Sequence, residues 1–287
     1  MRNTFFHNRG DGTFAEIANY AGLAASEWSW QPVFLDVDLD GYEDILISAG
    51  HARDVQDTDS SNRGAELKRE NKLLPPELAY SQALSPQDRF TEELYQLMVM
   101  RPILKSPVVA FRNNGGDLTF TEKTEEWGTA AEGVRHGIAI ADLDNDGDLD
   151  FVTNDLNSPA SVYRNDATAP RLLVRLKGGK ENPAGVGAKI FVSPTEKGSL
   201  LPEQWSEVIL GGRYLSSSEP VAVFAAALEN TVKVRWPDGT VTLREGVKPG
   251  IFEVPRDKTA TMPQVTKENK VEPLFVEFAL ELSLIHI

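Results

Sequence analysis

Cysteine is absent from this 287-residue sequence. The chain therefore has no disulfide framework, no thiolate nucleophile and no cysteine-ligated metal. Long apolar runs are missing too: none approaches the length of about 18 residues that predicts a membrane-spanning helix, so we expect no membrane span. The motifs G-x-S-x-G, G-x-x-x-x-G-K-[ST] and H-E-x-x-H are also lacking. Their absence argues against the commonest serine hydrolase, nucleotide-binding and zinc protease sites.

Positive charge is scarce compared with negative charge. The sequence has 29 lysines and arginines against 43 aspartates and glutamates, which gives a formal net charge of -14. A surface of this sign repels nucleic acids and anionic membranes, so we predict neither as a partner. The histidines His7, His51 and His136 are scattered along the chain. We interpret His136 as a packing or surface residue rather than a metal ligand.

Aspartate is concentrated in two stretches of nine residues. Residues 36–44 and 142–150 both follow the pattern D-x-D-x-D-G-x-x-D, and an apolar run follows each of them. Alternate residues of a tight loop project to the same side, so the four aspartates of each stretch should converge, and glycine at position 6 permits the sharp turn. The main-chain carbonyl at position 7 can add a fifth oxygen. The predicted metal ligands are Asp36, Asp38, Asp40, Tyr42, Asp44, Asp142, Asp144, Asp146, Asp148 and Asp150.

This all-oxygen, highly charged ligand set suits Ca²⁺ before Mg²⁺. Without a cation the carboxylates would repel one another, so we expect calcium to be structural, at about two sites, and its binding to be coupled to folding. Loops of this type fill best where Ca²⁺ is millimolar. We therefore expect a secreted, periplasmic or cell-surface location, although this chain shows no signal peptide of its own.

The EF-hand is the nearest alternative, because its first six positions follow the same pattern. An EF-hand needs a bidentate glutamate at position 12 and a helix on each side. Position 12 is Ile47 in the first stretch and Thr153 in the second, and the flanking apolar runs favour strands. The other alternative is an acidic turn without metal, which the repetition of the full pattern argues against.

Self-comparison reveals a repeat with an offset of 106 residues. Residues 8–14 match residues 114–120, the acidic stretches have the same offset, and a third copy begins at residues 161–166. Short strands with regular turn signals predict an all-β fold, here part of a β-propeller with blades in residues 1–50 and 108–169. Since a full propeller usually has at least about four blades, we expect the chain to be a fragment of a longer protein. Alone, it should be poorly stable or prone to aggregation.

A helical insertion is predicted within the first repeat, in residues 51–107. Its first part, residues 54–62, is polar and is expected to be mobile, whereas residues 67–74 and 86–100 should be helical. Ser85 before Pro86 is a plausible helix cap. The apolar side chains of the second helix lie on one face and are expected to pack as a flap over the blades: Phe90, Leu94, Leu97 and Met98.

A second, smaller β domain is predicted in residues 170–255. Alternating strands begin at Arg171 and near Gly185, and Pro237-Asp238-Gly239 forms a hairpin turn between two further strands. Residues 256–287 are interpreted as a linker and truncated tail, and residues 282–287 within them as an artefact that resembles a translated sequencing-adapter read-through.

These motifs resemble two known families. The acidic stretches and the Asn-x-Gly-Asp-Gly-Thr-Phe turn are similar to the FG-GAP/VCBS repeats of calcium-binding β-propellers. The segment 171–241 resembles the ASPIC/UnbV domain of cartilage acidic protein-like and secreted bacterial proteins, through residues 185–188, 211–217 and 234–240. One departure concerns residues 223–228, where the family's His-Phe-Gly-Leu-Gly-like run is replaced by Val-Phe-Ala-Ala-Ala-Leu, so any site carried by that turn is in doubt.

The resemblance implies a non-enzymatic extracellular protein that binds or adheres to a protein or polysaccharide ligand. The alternative is a secreted enzyme or accessory protein of polysaccharide or secondary metabolism, with the acidic groups acting as acid and base. A calcium sensor is a third possibility, for which the sequence offers no switchable apolar surface.

The tryptophans Trp28, Trp30 and Trp127 are interpreted as blade core, with a carbohydrate groove as the alternative. Arg9-Gly10-Asp11 is interpreted as part of the repeat turn rather than as an adhesion motif.

Overall fold

Short strands dominate the computed structural model, which describes residues 2–75, 78 and 85–256. The strands are β1 (Phe6–Asn8), β2 (Phe14–Glu16), β3 (Ser29–Leu35), β4 (Asp44–Ala49), β5 (Val109–Asn113), β6 (Phe120–Glu122), β7 (Arg135–Ala141), β8 (Asp150–Asp155), β9 (Ser161–Tyr163), β10 (Arg171–Lys177), β11 (Lys189–Pro194), β12 (Gln204–Glu207), β13 (Val221–Ala225), β14 (Asn230–Arg235), β15 (Val241–Val247) and β16 (Gly250–Pro255). The helices are α1 (Ala18–Ala21), α2 (Thr58–Arg69) and α3 (Pro86–Val99). The predicted all-β class is confirmed. Within the described part of the chain, no helix has the length and apolar character needed to cross a bilayer.

Three antiparallel sheets form the repeat region, residues 2–169. A hairpin of β1 and β2 comes first, followed by a four-stranded sheet in the order β3-β4-β5-β6 and a three-stranded sheet in the order β7-β8-β9. All six residues of β4 are buried, because both faces of the four-stranded sheet are covered. One face packs against the β7-β8-β9 sheet through a core that includes Val33, Leu46 and Ile138. The other face packs beneath α1, through Ile45, Ile47 and Phe111.

The turns of the repeat share a local hydrogen bond. The side-chain oxygens of Asn8, Asn113 and Asn165 each accept from the amide two residues later, at 2.9, 3.0 and 3.0 Å. Asn113, rather than the Asn114 that sequence alignment selects, is thus the structural counterpart of Asn8. The second turn is one residue longer.

The insertion differs in part from the prediction. Helix α3 begins where expected, since the Ser85 hydroxyl accepts from the Asp88 amide at 3.1 Å. The prediction for helix α2 is wrong. The helix starts at Thr58, inside the stretch expected to be mobile, and ends at Arg69 instead of Leu74. Its start is capped by Asp57, whose carboxylate accepts from the amides of Asp59 and Ser60.

The expected packing of the α3 apolar stripe over the blades is wrong. Phe90, Leu94 and Met98 are 55%, 46% and 37% exposed, and α3 has no buried residue. Its neighbour is instead α2, where an added side chain at Gly64 would meet Leu97.

Two sheets form the C-terminal β region, residues 170–256. The order of one sheet is β13-β10-β16, with β10 and β16 parallel, and that of the other is β12-β11-β14-β15. A shared core that includes Leu172, Ile190 and Trp236 joins them. The predicted Pro237-Asp238-Gly239 hairpin turn is present between β14 and β15, with the Trp236 amide donating to the Thr240 carbonyl at 2.9 Å. Residues 257–287 of the predicted tail lie outside the described residues.

A segment of the C-terminal region lies along strand β7 of the repeat region. Ser218 forms a parallel bridge with Ile140, and the Glu219 amide donates to the Ile140 carbonyl at 2.9 Å. The Ser216 hydroxyl donates to the Ile138 carbonyl at 2.8 Å. The buried Gln31 side chain accepts from the Ile138 amide at 2.8 Å. The two regions are therefore joined at a main-chain edge as well as by side chains.

Candidate metal centres

The two acidic stretches adopt the same loop conformation. Loop 1 (residues 36–44) connects β3 to β4, and loop 2 (residues 142–150) connects β7 to β8. The first aspartate of each loop accepts two amides: Asp36 from Asp40 and Gly41 at 3.1 and 2.9 Å, and Asp142 from Asp146 and Gly147 at 3.1 and 3.2 Å. The backbone turns sharply at position 6 in both loops. The φ angles of Gly41 and Gly147 are 94° and 95°, a region that favours glycine.

Three aspartates of each loop come together at its centre. Oxygens of Asp36, Asp38 and Asp40 lie within 4.8 Å of one another, and so do those of Asp142, Asp144 and Asp146. In loop 1, Asp38 Oδ1 is buried and has no hydrogen-bond partner among the residues that the structure describes. Such an oxygen lacks the compensation that burial of a polar atom requires, and a cation at the centre of the loop would supply it. The donor set fits Ca²⁺.

Burial and mutual repulsion weaken the acidity of three of these carboxyl groups, those of Asp36, Asp40 and Asp142. Burial, followed by the nearby charges of Asp40 and Asp38, raises the pKa of Asp36 to about 7. The pKa values of Asp40 and Asp142 are raised in the same direction, again mainly by burial. Each loop thus holds more negative charge than its surroundings accommodate, which is the electrostatic condition for binding a cation.

The aspartates at position 9 tie each loop to a neighbouring strand. Asp44 accepts from the Val37 amide of its own loop at 2.8 Å and from the Asn113 amide at the end of β5 at 2.8 Å. Asp150 does the same with Leu143 at 2.9 Å and Asn165 at 2.7 Å. Both of their oxygens hold backbone amides, so the structure gives these residues a tethering role. Their role as ligands stays a prediction.

Position 7 differs between the loops. Tyr42 is half-buried, whereas the Asp148 side chain is fully buried, and neither of its oxygens has a hydrogen bond to a described residue. Burial and the charge of Asp146 raise the pKa of Asp148 to about 7. The predicted ligand atom here is the main-chain carbonyl. The burial of the Asp148 carboxylate is a feature that the sequence pattern did not reveal.

Two arginines that sequence reasoning missed contact the loops. Arg112 on β5 donates to Asp38 and Asp40, both at 2.5 Å. Arg171 on β10 lies 2.7 Å from the Asp146 carboxylate and 3.5 Å from that of Asp148. Arg112 directly precedes the repeated turn asparagine, so its position in the repeat could have identified it from the sequence. Arg171 belongs to the C-terminal β region and has no equivalent in the repeat.

Two protein families match stretches of this chain. The FG-GAP-like repeat family matches residues 1–47 and 103–153, and the ASPIC and UnbV family matches residues 178–251. This chain carries FG-GAP-like repeats followed by an ASPIC/UnbV domain. The FG-GAP-like repeats imply a propeller-like fold, and the two matched stretches flank the helical insertion. Both candidate centres lie in the FG-GAP-like repeats. Arg171 lies between the end of the FG-GAP-like match and the start of the ASPIC and UnbV match.

Cartilage acidic protein 1 of several vertebrates is similar to most of this chain. The human protein is 28% identical over 275 residues, covering 89% of the chain and 41% of its own length. The Xenopus tropicalis and Mus musculus proteins are each 26% identical, covering 91% and 84% of the chain and 43% and 39% of their own lengths. The chain thus spans about two fifths of the length of these relatives. Its combination of domains fits a non-enzymatic, extracellular, ligand-binding role.

Proposed function

We propose that this chain is a calcium-binding, non-enzymatic module of an extracellular protein and serves in ligand binding or adhesion. The observation that carries the proposal is the pair of loops with one conformation, each bringing three carboxylates within 4.8 Å of one another. The buried, unpartnered oxygen of Asp38 supports it further. In the described part of the chain, the acidic clusters of this kind are those of the two loops, which favours binding over acid–base catalysis.

The proposed role of the metal is structural. The first three aspartates of each loop would hold Ca²⁺, which would neutralise their repulsion. The position-9 aspartates would meanwhile connect the ordered loop to the neighbouring strand end at Asn113 or Asn165. Arg112 and Arg171 would offset part of the remaining charge. In this proposal the loops stabilise strand ends, and the ligand binds elsewhere.

An extracellular location is part of the proposal. The names of the relatives refer to cartilage, and high-charge oxygen loops are best filled at the calcium concentrations found outside cells. The ligand class that we propose is a protein or a polysaccharide.

Calcium titration tests the proposal. By isothermal titration calorimetry, the chain should bind two Ca²⁺, while Asp36→Ala and Asp142→Ala should each bind one, because each removes a carboxylate and the loop hydrogen bonds that it accepts. Saturation of each site at about 100 times its dissociation constant should add about 2.7 kcal/mol of stability, which is measurable as a rise in melting temperature.

The matched control is Asp117→Ala, which removes an exposed carboxylate from a repeat turn outside the loops. It should leave both sites intact. An unaltered chain that binds no calcium, or Asp36→Ala and Asp142→Ala variants that keep both sites, would refute the assignment.

A further inference from the structure

The solvent-facing side of the sheet β12-β11-β14-β15 combines aromatic and basic residues. In this sheet Ile190, Val192, Val232 and Val234 are buried in the core, so the residues that alternate with them point outward. Strand pairing aligns them in two adjacent rows across the sheet. The first row is Trp205, Phe191, Lys233 and Leu243, and the second is Glu207, Lys189, Arg235 and Val241.

The cations lie against the aromatic rings. The rings of Phe191 and Trp205 are stacked, with centroids 6.4 Å apart. Lys189 Nζ is 5.2 Å from the Trp205 ring centre, and Lys233 Nζ is 5.6 Å from that of Phe191. Arg235 Cζ is 6.0 Å from the same Phe191 ring. We name these five residues, Lys189, Phe191, Trp205, Lys233 and Arg235, the basic aromatic face.

This face stands out against the charge of the chain as a whole. The net charge is -14, yet three cations meet on two neighbouring strands. One carboxylate accompanies them: Glu207, 3.5 Å from Lys189. Within residues 2–75, 78 and 85–256, neither Lys233 nor Arg235 forms an ion pair with an acidic side chain; what they contact is the Phe191 ring. Cationic charge therefore remains available to an anionic ligand.

The basic aromatic face also includes an exposed tryptophan, Trp205. Trp205 is 56% exposed on the edge strand β12, although burying it would remove a large apolar area from water. Exposed aromatic rings beside arginine are typical of binding surfaces. A ligand that suits both parts has flat apolar ring faces and regularly spaced anionic groups.

We propose that the basic aromatic face binds an acidic polysaccharide. Sugar rings present apolar C–H faces that can pack on Trp205 and Phe191, while their carboxylate or sulfate groups would accept charge-assisted hydrogen bonds from Lys189, Lys233 and Arg235. The cations occupy adjacent strands and alternate positions, with Cα spacings of about 5–7 Å, which matches charges on neighbouring sugars. This proposal rests on the ligand-binding role proposed above and names its ligand class.

Binding to polysaccharides of defined chemistry tests the proposal. Heparin serves as the sulfated probe, hyaluronate as the carboxylate-only probe and dextran as the neutral one, each measured by calorimetry at low ionic strength and fixed calcium. The chain should bind heparin, hyaluronate or both, and not dextran. Affinity should fall as salt is raised, because the exposed charges are screened. Comparing the two acidic probes distinguishes recognition of sulfate from recognition of carboxylate.

Substitutions test whether the ligand binds to the basic aromatic face. Lys233→Gln with Arg235→Gln should weaken binding of the acidic probe at least about tenfold, and Trp205→Ala should weaken it several-fold. The matched control is Lys180→Gln with Lys248→Gln, which removes the same charge from exposed turns of the same region and should change affinity less than about twofold. Because the substituted cations are exposed, the melting temperature should stay unchanged, and any loss of binding then reports on the surface.

Three results would overturn the proposal: no binding to either acidic probe, equal weakening by the control pair, or equal affinity for single-stranded oligothymidine. The last would indicate a general polyanion surface. Failure of the polysaccharide proposal is distinguishable from failure of the proposed calcium function, because the calcium titration measures binding at the loops alone. Two bound Ca²⁺ without polysaccharide binding would refute only this inference, and polysaccharide binding without calcium would refute only the calcium assignment.

Discussion

His136 shows how a single residue acquires a setting that its sequence neighbours do not reveal. The centre of its ring lies 4.2 Å from that of Trp30, and its Nε2 atom is buried without a hydrogen-bond partner in the described part of the chain. Burial, and then the proximity of His51, lowers its pKa from the usual value of 6.5. The expectation of a packing role agrees with this position. The unpartnered nitrogen depends on contacts between distant segments, which no local pattern encodes.

The shift in His136 predicts acid sensitivity. Because the folded state takes up this proton less readily than the unfolded chain, folding stability is present above pH 6.5 and is lost as pH falls below it, towards the lowered folded pKa. His136→Gln, which stays neutral, should lose less stability than the unaltered chain between about pH 7 and pH 5. Urea unfolding in saturating calcium measures the free energy of unfolding of the variant and of the unaltered chain across this pH range.

His7→Gln is the comparison variant, since it removes a histidine from strand β1, far from this cluster in the sequence. It should retain the full acid-side loss. Parallel pH profiles for the His136→Gln variant and the unaltered chain would contradict the argument.

At the same scale, the sequence predicted the aspartates that converge and missed the residues that hold them in place. Asp36, Asp38 and Asp40 could be identified because a short, repeated pattern encodes the loop. Arg171 could not, since its contact with Asp146 is made between regions.

At the scale of elements, periodicity identified α3 better than α2. The residues at the start of α2, Thr58 to Asn62, are all polar, so no apolar stripe marks them, and its signal is the Asp57 cap alone. In α3, the stripe of Phe90, Leu94 and Met98 predicts a helix correctly, but it does not specify what the stripe contacts. Strands were more readily predicted, because alternation and turn residues are both local signals.

Two glycines provide a matched test of how the elements pack. Gly50 follows β4 with a φ of 107°, and an added Cβ would lie 2.6 Å from the Gly133 carbonyl oxygen. Backbone atoms cannot move aside cheaply, so Gly50→Ala should cost roughly 1–3 kcal/mol. Urea unfolding measures the change.

Gly64→Ala is the contrasting substitution. Gly64 is helical, and the added methyl would meet the flexible end of Leu97. The gain in helix propensity of about 1 kcal/mol should offset the adjustment of Leu97, leaving stability within about 0.5 kcal/mol of the original. A larger loss for Gly64→Ala than for Gly50→Ala would show that the described packing is wrong.

For the whole molecule, the two regions are bound more closely than a linear series of domains would suggest. Ser216 and Glu219 donate hydrogen bonds to strand β7, and Arg171 contacts loop 2. An added side chain at Gly41 of loop 1 would meet Pro202. The sequence predicted two β-rich regions and a third, helical one, but not these contacts, which join residues far apart in the chain.

The open sheets predict the behaviour of the chain in isolation. Among the described residues, the β1–β2 sheet has two strands, and a lone hairpin is marginally stable in water. We expect a broad melt, with aggregation on heating, in the absence of calcium. Calorimetry with light scattering checks this, and a sharp, cooperative melt of a soluble monomer would contradict it.

The tethers made by Asp44 and Asp150 predict where calcium depletion first becomes visible. Each carboxylate holds an amide outside its own loop, at Asn113 or Asn165. Hydrogen–deuterium exchange should therefore accelerate at these two amides when calcium is chelated, while the Trp236 amide in the C-terminal region keeps its protection. Equal protection with and without chelator would show that loops and strand ends open independently. If the amides respond as expected, an ion held in one loop controls the solvent exposure of a strand end that is distant in sequence.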